Sequence, residues 1–220
     1  MSVDMDRIVS AVGEARAQGK ARGIKFEQSF DFSVSFRKKE MDISKPENRF
    51  NQELTLPNRL YPPAKVCAFG DGDFAAAART AGVERVVSKE EIPRIGEEKR
   101  ERKSLARNYD YFIASTDTMP LIGRYLGQAL GSRGKMPKPF PPQADLTGAV
   151  SQYQRTVRIR MRSTPTFHVK VGHERMTDKE IAENIMAVLN LVDSKGHTPK
   201  IGDMIVKTTM GPPVRITSWR

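Results

Sequence analysis

From Phe30 to Arg37 apolar and polar side chains alternate without a break: Phe30, Phe32, Val34 and Phe36 against Asp31, Ser33, Ser35 and Arg37. A period of two sends the two sets to opposite faces, which predicts a half-buried antiparallel strand. The same period returns late in the chain. Val157, Ile159 and Met161 alternate with Arg158, Arg160 and Arg162, and Phe167, Val169 and Val171 alternate with His168 and Lys170. Ser163-Thr164-Pro165 makes the turn between those two strands. Leu54 and Leu56 predict another short strand before Pro57, Pro62 and Pro63 interrupt the pattern, and turn signals stand at Lys45-Pro46 and Asn48-Arg49. Helical spacing flanks these strands. Asp4 or Asp6 caps a first helix carrying Ile8, Val9, Val12 and Ala15, which ends at Gly19. Thr177-Asp178-Lys179-Glu180 is a capping box that opens a helix with Ile181, Ile185, Val188 and Val192 on one face, and Lys195-Gly196 closes it.

Between Lys65 and Tyr153 the pattern changes. Val66 to Phe69 is an unbroken apolar run, Gly70 to Asp73 a loop, Phe74 to Ala81 a helix ended by Gly82, and Val83 to Val87 a second strand. A charged helix over Glu97 to Asn108, a strand over Tyr109 to Ser115 and a helix over Met119 to Leu130 follow. The basic, proline-rich loop Gly131 to Pro139 closes this region, and a helix spans Asp145 to Tyr153. Short continuous apolar strands alternating with helices predict a parallel sheet covered on both faces. The fold class is therefore α+β and α/β, in two domains. Residues 1–66 and 154–220 form one split α+β domain, and residues 67–153 form an α/β domain inserted in it. Two crossings, near Pro62-Pro63-Ala64 and near Arg155, permit hinge motion.

Charge names the class of partner. Lys and Arg number 37 against 26 Asp and Glu, a formal net charge of +11. Such an excess points first to nucleic acid. An anionic membrane surface is the rival, but there is no basic amphipathic helix with a strong apolar face and no run of about 18 apolar residues. The start of the chain lacks the pattern of a secretory signal. One cysteine, Cys67, lies in an apolar run; it excludes an internal disulfide and fits a reducing cytoplasm.

Candidate chemistry is sparse. Gly70-Asp71-Gly72-Asp73-Phe74-Ala75 follows a strand, opens a helix and matches G-x-G-x-x-A, with Glu90 or Glu91 about 20 residues on. That position suits a dinucleotide, and a nucleotide-cofactor enzyme is the alternative reading of the chain. Asp71 and Asp73, however, set carboxylates where a pyrophosphate would lie, which favours a plain turn with Asp73 capping the helix. No metal set forms from His168, His173, His197 and Cys67, and neither G-x-S-x-G nor a Walker pattern occurs. The expectation is a non-enzyme without cofactor or metal. The arginines at 158, 160 and 162 cover about 13 Å of one strand face, facing an anionic partner or salt-bridged to a covering helix. The mixed-sign helix Glu97 to Lys103 reads as solvated. Near the end, Val206-Lys207-Thr208-Thr209-Met210-Gly211-Pro212-Pro213-Val214-Arg215-Ile216 reads as strand, turn and return strand, with Gly211 allowing a backbone or a ligand to approach closely.

Taken together, Lys25-Phe26-Glu27, the loop Gly131 to Pro139, His168-Val169-Lys170-Val171-Gly172 and Thr208-Thr209-Met210-Gly211-Pro212 resemble one family. It is that of the first-numbered protein of the large ribosomal subunit, found on the mobile stalk by the tRNA exit site, in its archaeal branch. The resemblance runs nearly the whole chain. It implies a split RNA-binding domain with an inserted Rossmann-like three-layer α/β/α domain that is not an enzyme. It implies as partners large-subunit rRNA, the chain's own mRNA, exit-site tRNA and the ribosome, with no membrane, a monomer when free, and a cytoplasmic, ribosome-associated location. The implied RNA surface comprises Lys25, Phe26, Glu27, Thr209, Met210 and Gly211, with His168 and Lys170 as neighbours; beside it, the hydroxyls of Thr208 and Thr209 suit hydrogen bonds to RNA 2′-hydroxyls. Arg158 and Arg160 add phosphate contacts, and Arg133, Lys135 and Lys138 a secondary RNA contact.

Overall fold

The computed structural model describes residues 4–45, 48–161 and 163–216. Arg162, Pro46, Glu47 and the residues at both ends lie outside them, so the third arginine of the basic strand and part of the Lys45-Pro46 turn receive no structural account. The chain divides into two compact units, one of Met1–Tyr61 with Arg155–Arg220, the other Pro62–Gln154.

The first unit is built on a four-stranded antiparallel sheet. Helix α1 (Met5–Ala21) leads to β1 (Ser29–Phe36), β2 (Asn51–Thr55), and later β7 (Thr156–Arg160), β8 (Thr166–His173), helix α8 (Asp178–Ser194), β9 (Ile201–Thr208) and the short β10 (Val214–Arg215). The sheet order is β10-β9-β1-β8, and β2 pairs with β7 in a separate two-stranded sheet. One face of the larger sheet is fully buried by Phe30, Phe32, Val34, Phe167, Val171 and Val206 against Ile8, Val12 and Ala15 of α1 and Ile181, Ile185 and Val188 of α8. Each such valine, isoleucine or phenylalanine contributes about 1.5–3 kcal/mol by leaving water. The amphipathic spacing seen in the two helices is thus what covers the alternating strands.

Caps fix the helix ends. The Asp4 side chain accepts from Asp6 N–H at the start of α1, and Thr177 and Glu180 form the reciprocal capping box of α8. Gly196, at φ +67°, ends α8 as expected. Gly19 does not end α1. The helix runs on to Ala21 and turns at Gly23, φ +63°, while Gly19 is buried inside it.

The second unit is a parallel sheet between two helical layers. Its strands are β3 (Val66–Phe69), β4 (Arg85–Val87), β5 (Tyr111–Ser115) and β6 (Lys138–Phe140), in the order β4-β3-β5-β6 and all parallel. Helices α2 (Gly72–Thr80) and α7 (Leu146–Tyr153) cover one face. The other is covered by α3 (Glu91–Glu97), α4 (Lys99–Asn108), α5 (Met119–Tyr125) and α6 (Gly127–Gly131). Alternate strand residues serve the two layers: Cys67, Phe69 and Phe112 meet one, Val66, Ala68 and Ile113 the other. Burial pushes the Cys67 thiol up to about 12, consistent with a core residue.

Three expectations need correction here. The boundary drawn after residue 66 falls earlier, because Val66 pairs with Tyr111 inside the parallel sheet. The single helices expected over 97–108 and 119–130 are each preceded or followed by a separate one, α3 and α6. The loop Gly131 to Pro139 runs into an edge strand, β6, and an edge is where a sheet tolerates proline.

Candidate nucleic-acid interface

Three connections meet at one end of the antiparallel sheet: the loop from α1 to β1, the turn from β9 to β10, and the loop from β8 to α8. Their meeting follows from register, since Ser29 at the start of β1 pairs with His173 at the end of β8, and Phe30 pairs with Thr208 at the end of β9. A single buried residue, Gln28, ties all three. Its Oε1 accepts from Met210 N–H at 2.9 Å, its Nε2 donates to Glu174 Oε1 at 3.3 Å, and its backbone carbonyl accepts from Glu174 N–H at 3.0 Å. Arg22, just past α1, donates to the Met210 carbonyl at 2.9 Å. Pinned on both sides, the turn presents the Met210 side chain 51% exposed, and the neighbouring loop presents Phe26 54% exposed. Two large apolar side chains held in water on a rigid frame are a surface built for contact.

Thr208 is not part of that surface. It is fully buried, because it lies two residues after Val206 on the inward face and pairs with Phe30. Its hydroxyl sits between two glycines: a Cβ at Gly19 would come within 2.5 Å of Thr208 Oγ1, and one at Gly211 within 2.2 Å. Gly211 is itself buried, so the close approach it permits is to Thr208 and to the Cα of Gly19. The side chain of Thr208 therefore acts as a spacer between α1 and the turn. Thr209 is exposed but committed. Its N–H and hydroxyl both donate to the Ser29 carbonyl, at 3.0 and 3.3 Å, and its Oγ1 accepts from Ser29 N–H at 3.2 Å.

Glu27 holds an arginine. Arg175 Nε donates to both its carboxylate oxygens, at 2.8 and 2.9 Å. That hydrogen bond holds the Glu27 carboxyl below the usual range, and the same contact raises Arg175. The Arg175 guanidinium lies 4.2 Å above the ring of Tyr61, which meets His173 edge-on at 5.1 Å. Burial lowers the His173 pKa, with Glu27 pulling the other way from 3.9 Å. Arg175 and Tyr61 belong to this site although their sequence neighbourhoods carry no signal for it.

Arg16 was also silent in the sequence. From the buried side of α1 it uses the guanidinium fork on the β8–α8 loop, donating to Glu174 O (2.6 Å), Met176 O (2.7 Å) and Asp178 Oδ1 (2.7 Å). It lies 5.1 Å from the centre of the Phe30 ring. It is a positioning residue that locks one of the three loops.

The open face of the sheet continues from this end. Register aligns Lys170, Asp31 and Lys207 in a row across three strands, and His168 beside Ser33 in the next. Burial raises the Asp31 carboxyl, against the pull of Lys207, Lys170 and His168. Lys170 Nζ also donates to the Tyr61 carbonyl at 2.9 Å. Lys25 is exposed in the α1–β1 loop.

Arg158 and Arg160 are placed elsewhere, on β7 of the two-stranded sheet, where Arg158 stands opposite Glu53 and Arg160 opposite Asn51. Arg158 Nη2 donates to Glu53 Oε1 at 2.5 Å, so Arg158 does form a salt bridge, but with the neighbouring strand rather than with a covering helix. In the second unit, Lys135 Nζ donates to the Tyr109 carbonyl at 2.6 Å, and Lys138 Nζ lies 5.2 Å from the centre of the Tyr153 ring. Arg133 is exposed.

The glycine motif after β3 is accounted for internally. A Cβ on Gly70 would fall 2.4 Å from the Phe74 ring, and Gly72 adopts φ +54°. The helix starts two residues earlier than expected: Asp71, not Asp73, is its N-cap residue, and the Asp71 carboxylate accepts from Lys89 N–H at 3.0 Å to close the turn. Among the described residues there is no cluster of three or more metal-ligating side chains and no helix long and apolar enough to cross a membrane.

Known proteins match this chain along its length. The family described as Ribosomal protein L1p/L10e matches residues 15–212. A Methanocaldococcus jannaschii protein named large ribosomal subunit protein uL1 is 45% identical over 216 residues, covering 97% of this chain and 96% of its own. Proteins of the same name from Pyrococcus abyssi and Archaeoglobus fulgidus are 43% and 41% identical, over 98% of this chain in each case and 98% and 100% of their own. With a family match over most of its length and relatives of this identity, the chain belongs to the Ribosomal protein L1p/L10e family.

Proposed function

We propose that this protein is a non-enzymatic constituent of the large ribosomal subunit, and that it binds large-subunit rRNA at the mobile stalk through the three-loop end of its antiparallel sheet. The observation that carries this reading is the pair Phe26 and Met210, each more than half exposed and each held by a braced loop within a basic surface. Their apolar area packs on ribose or base faces, and Lys25, Lys170 and Lys207 add phosphate attraction that weakens with salt. Backbone groups and the exposed edge of Thr209 meet the 2′-hydroxyls of a shallow minor groove. Thr208 and Gly211 serve by shaping the turn, and Arg158 is left out of the contact. On the same reading the protein helps release deacylated tRNA from the exit site, represses its own mRNA through a similar RNA shape, and is a cytoplasmic monomer when off the ribosome.

The test is a calorimetric titration of the full chain against a stalk fragment of rRNA. Met210→Asp and Phe26→Ser are each expected to weaken binding tenfold or more, in line with about 1–3 kcal/mol per stacked side chain. Their melting temperatures should match the parent, because neither side chain packs in the core. Wild-type affinity in both variants sinks the assignment. Gly211→Val is a poorer probe, since its Cβ would displace Thr208 and disturb the turn itself.

A further inference from the structure

Helix α4 of the inserted unit begins Lys99-Arg100, with Glu101 the acidic residue of its first turn. Cations are disfavoured there, because the backbone dipole places partial positive charge at a helix start. The sequence mixes both signs along this helix, but helical geometry sorts them. Lys99, Arg102 and Lys103 are spaced three and four apart and share a face. That face and the end of α6 line a cavity of about 330 Å³, walled by Lys99, Arg102, Lys103, Gln128, Ser132 and Arg133, with Ala129. No carboxylate or aromatic ring is in its lining. Arg102 gives one guanidinium nitrogen to the Gly96 carbonyl at 3.2 Å. Lys99, Lys103 and Arg133 are exposed and have no ion pair among the described residues.

We propose that this cavity binds phosphate groups of an RNA backbone, without reading bases. Like charges gathered around one concavity repel until a counter-charge fills it. The lining offers donors of the kind phosphate oxygens accept: ammonium, guanidinium, amide and hydroxyl. It offers no ring on which a base could stack and no carboxylate to hold a metal ion. The secondary contact expected at Arg133, Lys135 and Lys138 is thereby re-centred. Lys135 and Lys138 are spent on Tyr109 and Tyr153, and Arg133 joins two lysines from a helix that had been read as merely solvated. The proposal rests on the RNA-binding reading above.

The experiment titrates the full chain with the stalk rRNA fragment between about 50 and 200 mM salt and plots log affinity against log salt. In Lys99→Ala/Lys103→Ala/Arg133→Ala the slope should become shallower by about 2, with about tenfold weaker binding at the low-salt end. Lys135→Ala/Lys138→Ala should leave the slope unchanged. A triple variant with parental slope and affinity overturns the proposal, and so does a loop pair that loses as much as the triple. Met210→Asp, measured alongside, separates the two readings. If it binds normally while the triple variant loses slope, the turn assignment falls and the cavity stands. Tripolyphosphate supplies the other source of the same chemistry: if it stabilises the parent but not the triple variant while both bind RNA alike, the ligand is a free oligophosphate and the RNA assignment is overturned.

Discussion

The two sheets of this protein handle their surfaces in opposite ways. The antiparallel sheet of the first unit is covered on one face and leaves Lys170, Asp31, Lys207 and His168 on the other. The parallel sheet of the second unit is covered on both faces, so every residue of β3 and β5 is buried. An open sheet face can serve as a recognition surface directly, with its braced loop ends as the rim. A doubly covered sheet leaves recognition to its helix faces and loops, which is where the cavity beside α4 lies. Two helical glycines, one from each unit, also differ in what surrounds them. Around Thr208 two glycines are needed so that a helix and a turn can meet, whereas Gly123 of α5 has nothing within 4 Å of where its Cβ would be.

The glycines give the largest expected break in that comparison. Alanine favours a helix interior over glycine by about 0.8–1 kcal/mol. Gly123→Ala should therefore raise the melting temperature of the protein slightly. Gly19→Ala gains the same propensity, but its methyl would lie 2.5 Å from Thr208 Oγ1 and 3.2 Å from Thr208 Cβ. Overpacking of this kind costs about 1–3 kcal/mol. Net destabilisation is expected, together with weaker RNA binding as the turn is pushed outward. Calorimetric melts of the two variants should move in opposite directions; a stabilised Gly19→Ala would show that Thr208 is not a tight spacer.

A smaller effect belongs to the open face. Asp31 stands between Lys170 and Lys207, and burial already raises its carboxyl. Asp31→Asn keeps the shape and removes the negative charge. RNA affinity should rise a few-fold, on the order of 0.5 kcal/mol, and salt dependence should steepen. An unchanged salt slope would mean that phosphates do not approach this row.

Much of this was readable from residues alone. Phe30 to Phe36 and the capping box at Thr177 state their elements outright, because a period of two and a reciprocal side-chain bond are local facts. Thr208 was also within reach, since it continues the inward set Met204 and Val206; its hydroxyl, next to that of Thr209, draws attention away from its parity. Arg16, Tyr61 and Arg175 were out of reach. Each acts through a partner more than 100 positions away, at Asp178, His173 and Glu27, and no single-sequence pattern reports such pairings. The arginine strand stays undecided in the sequence for a related reason. Whether Arg158 meets RNA or Glu53 depends on the register of β2 with β7, which alternation within one strand does not fix.

The smallest predicted effect is acid sensitivity at the three-loop end. His173 is buried, and burial lowers its pKa below the ordinary 6.5. The unfolded chain then binds the proton that the folded one refuses. Stability is full above 6.5 and is lost as pH falls from there toward the folded value. Glu27 acts in a lower window. Its carboxyl is held below the ordinary 4.5 by Arg175, so its contribution is present above 4.5 and lost as pH falls through its folded pKa. No comparable buried histidine belongs to the second unit. Melting temperature should therefore decline modestly between pH 7 and 5, and His173→Gln should flatten that decline while leaving the loss below pH 4.5 in place. If His173→Gln melts with the parental pH profile, the imidazole beside Tyr61 is not what makes this end of the sheet acid-sensitive.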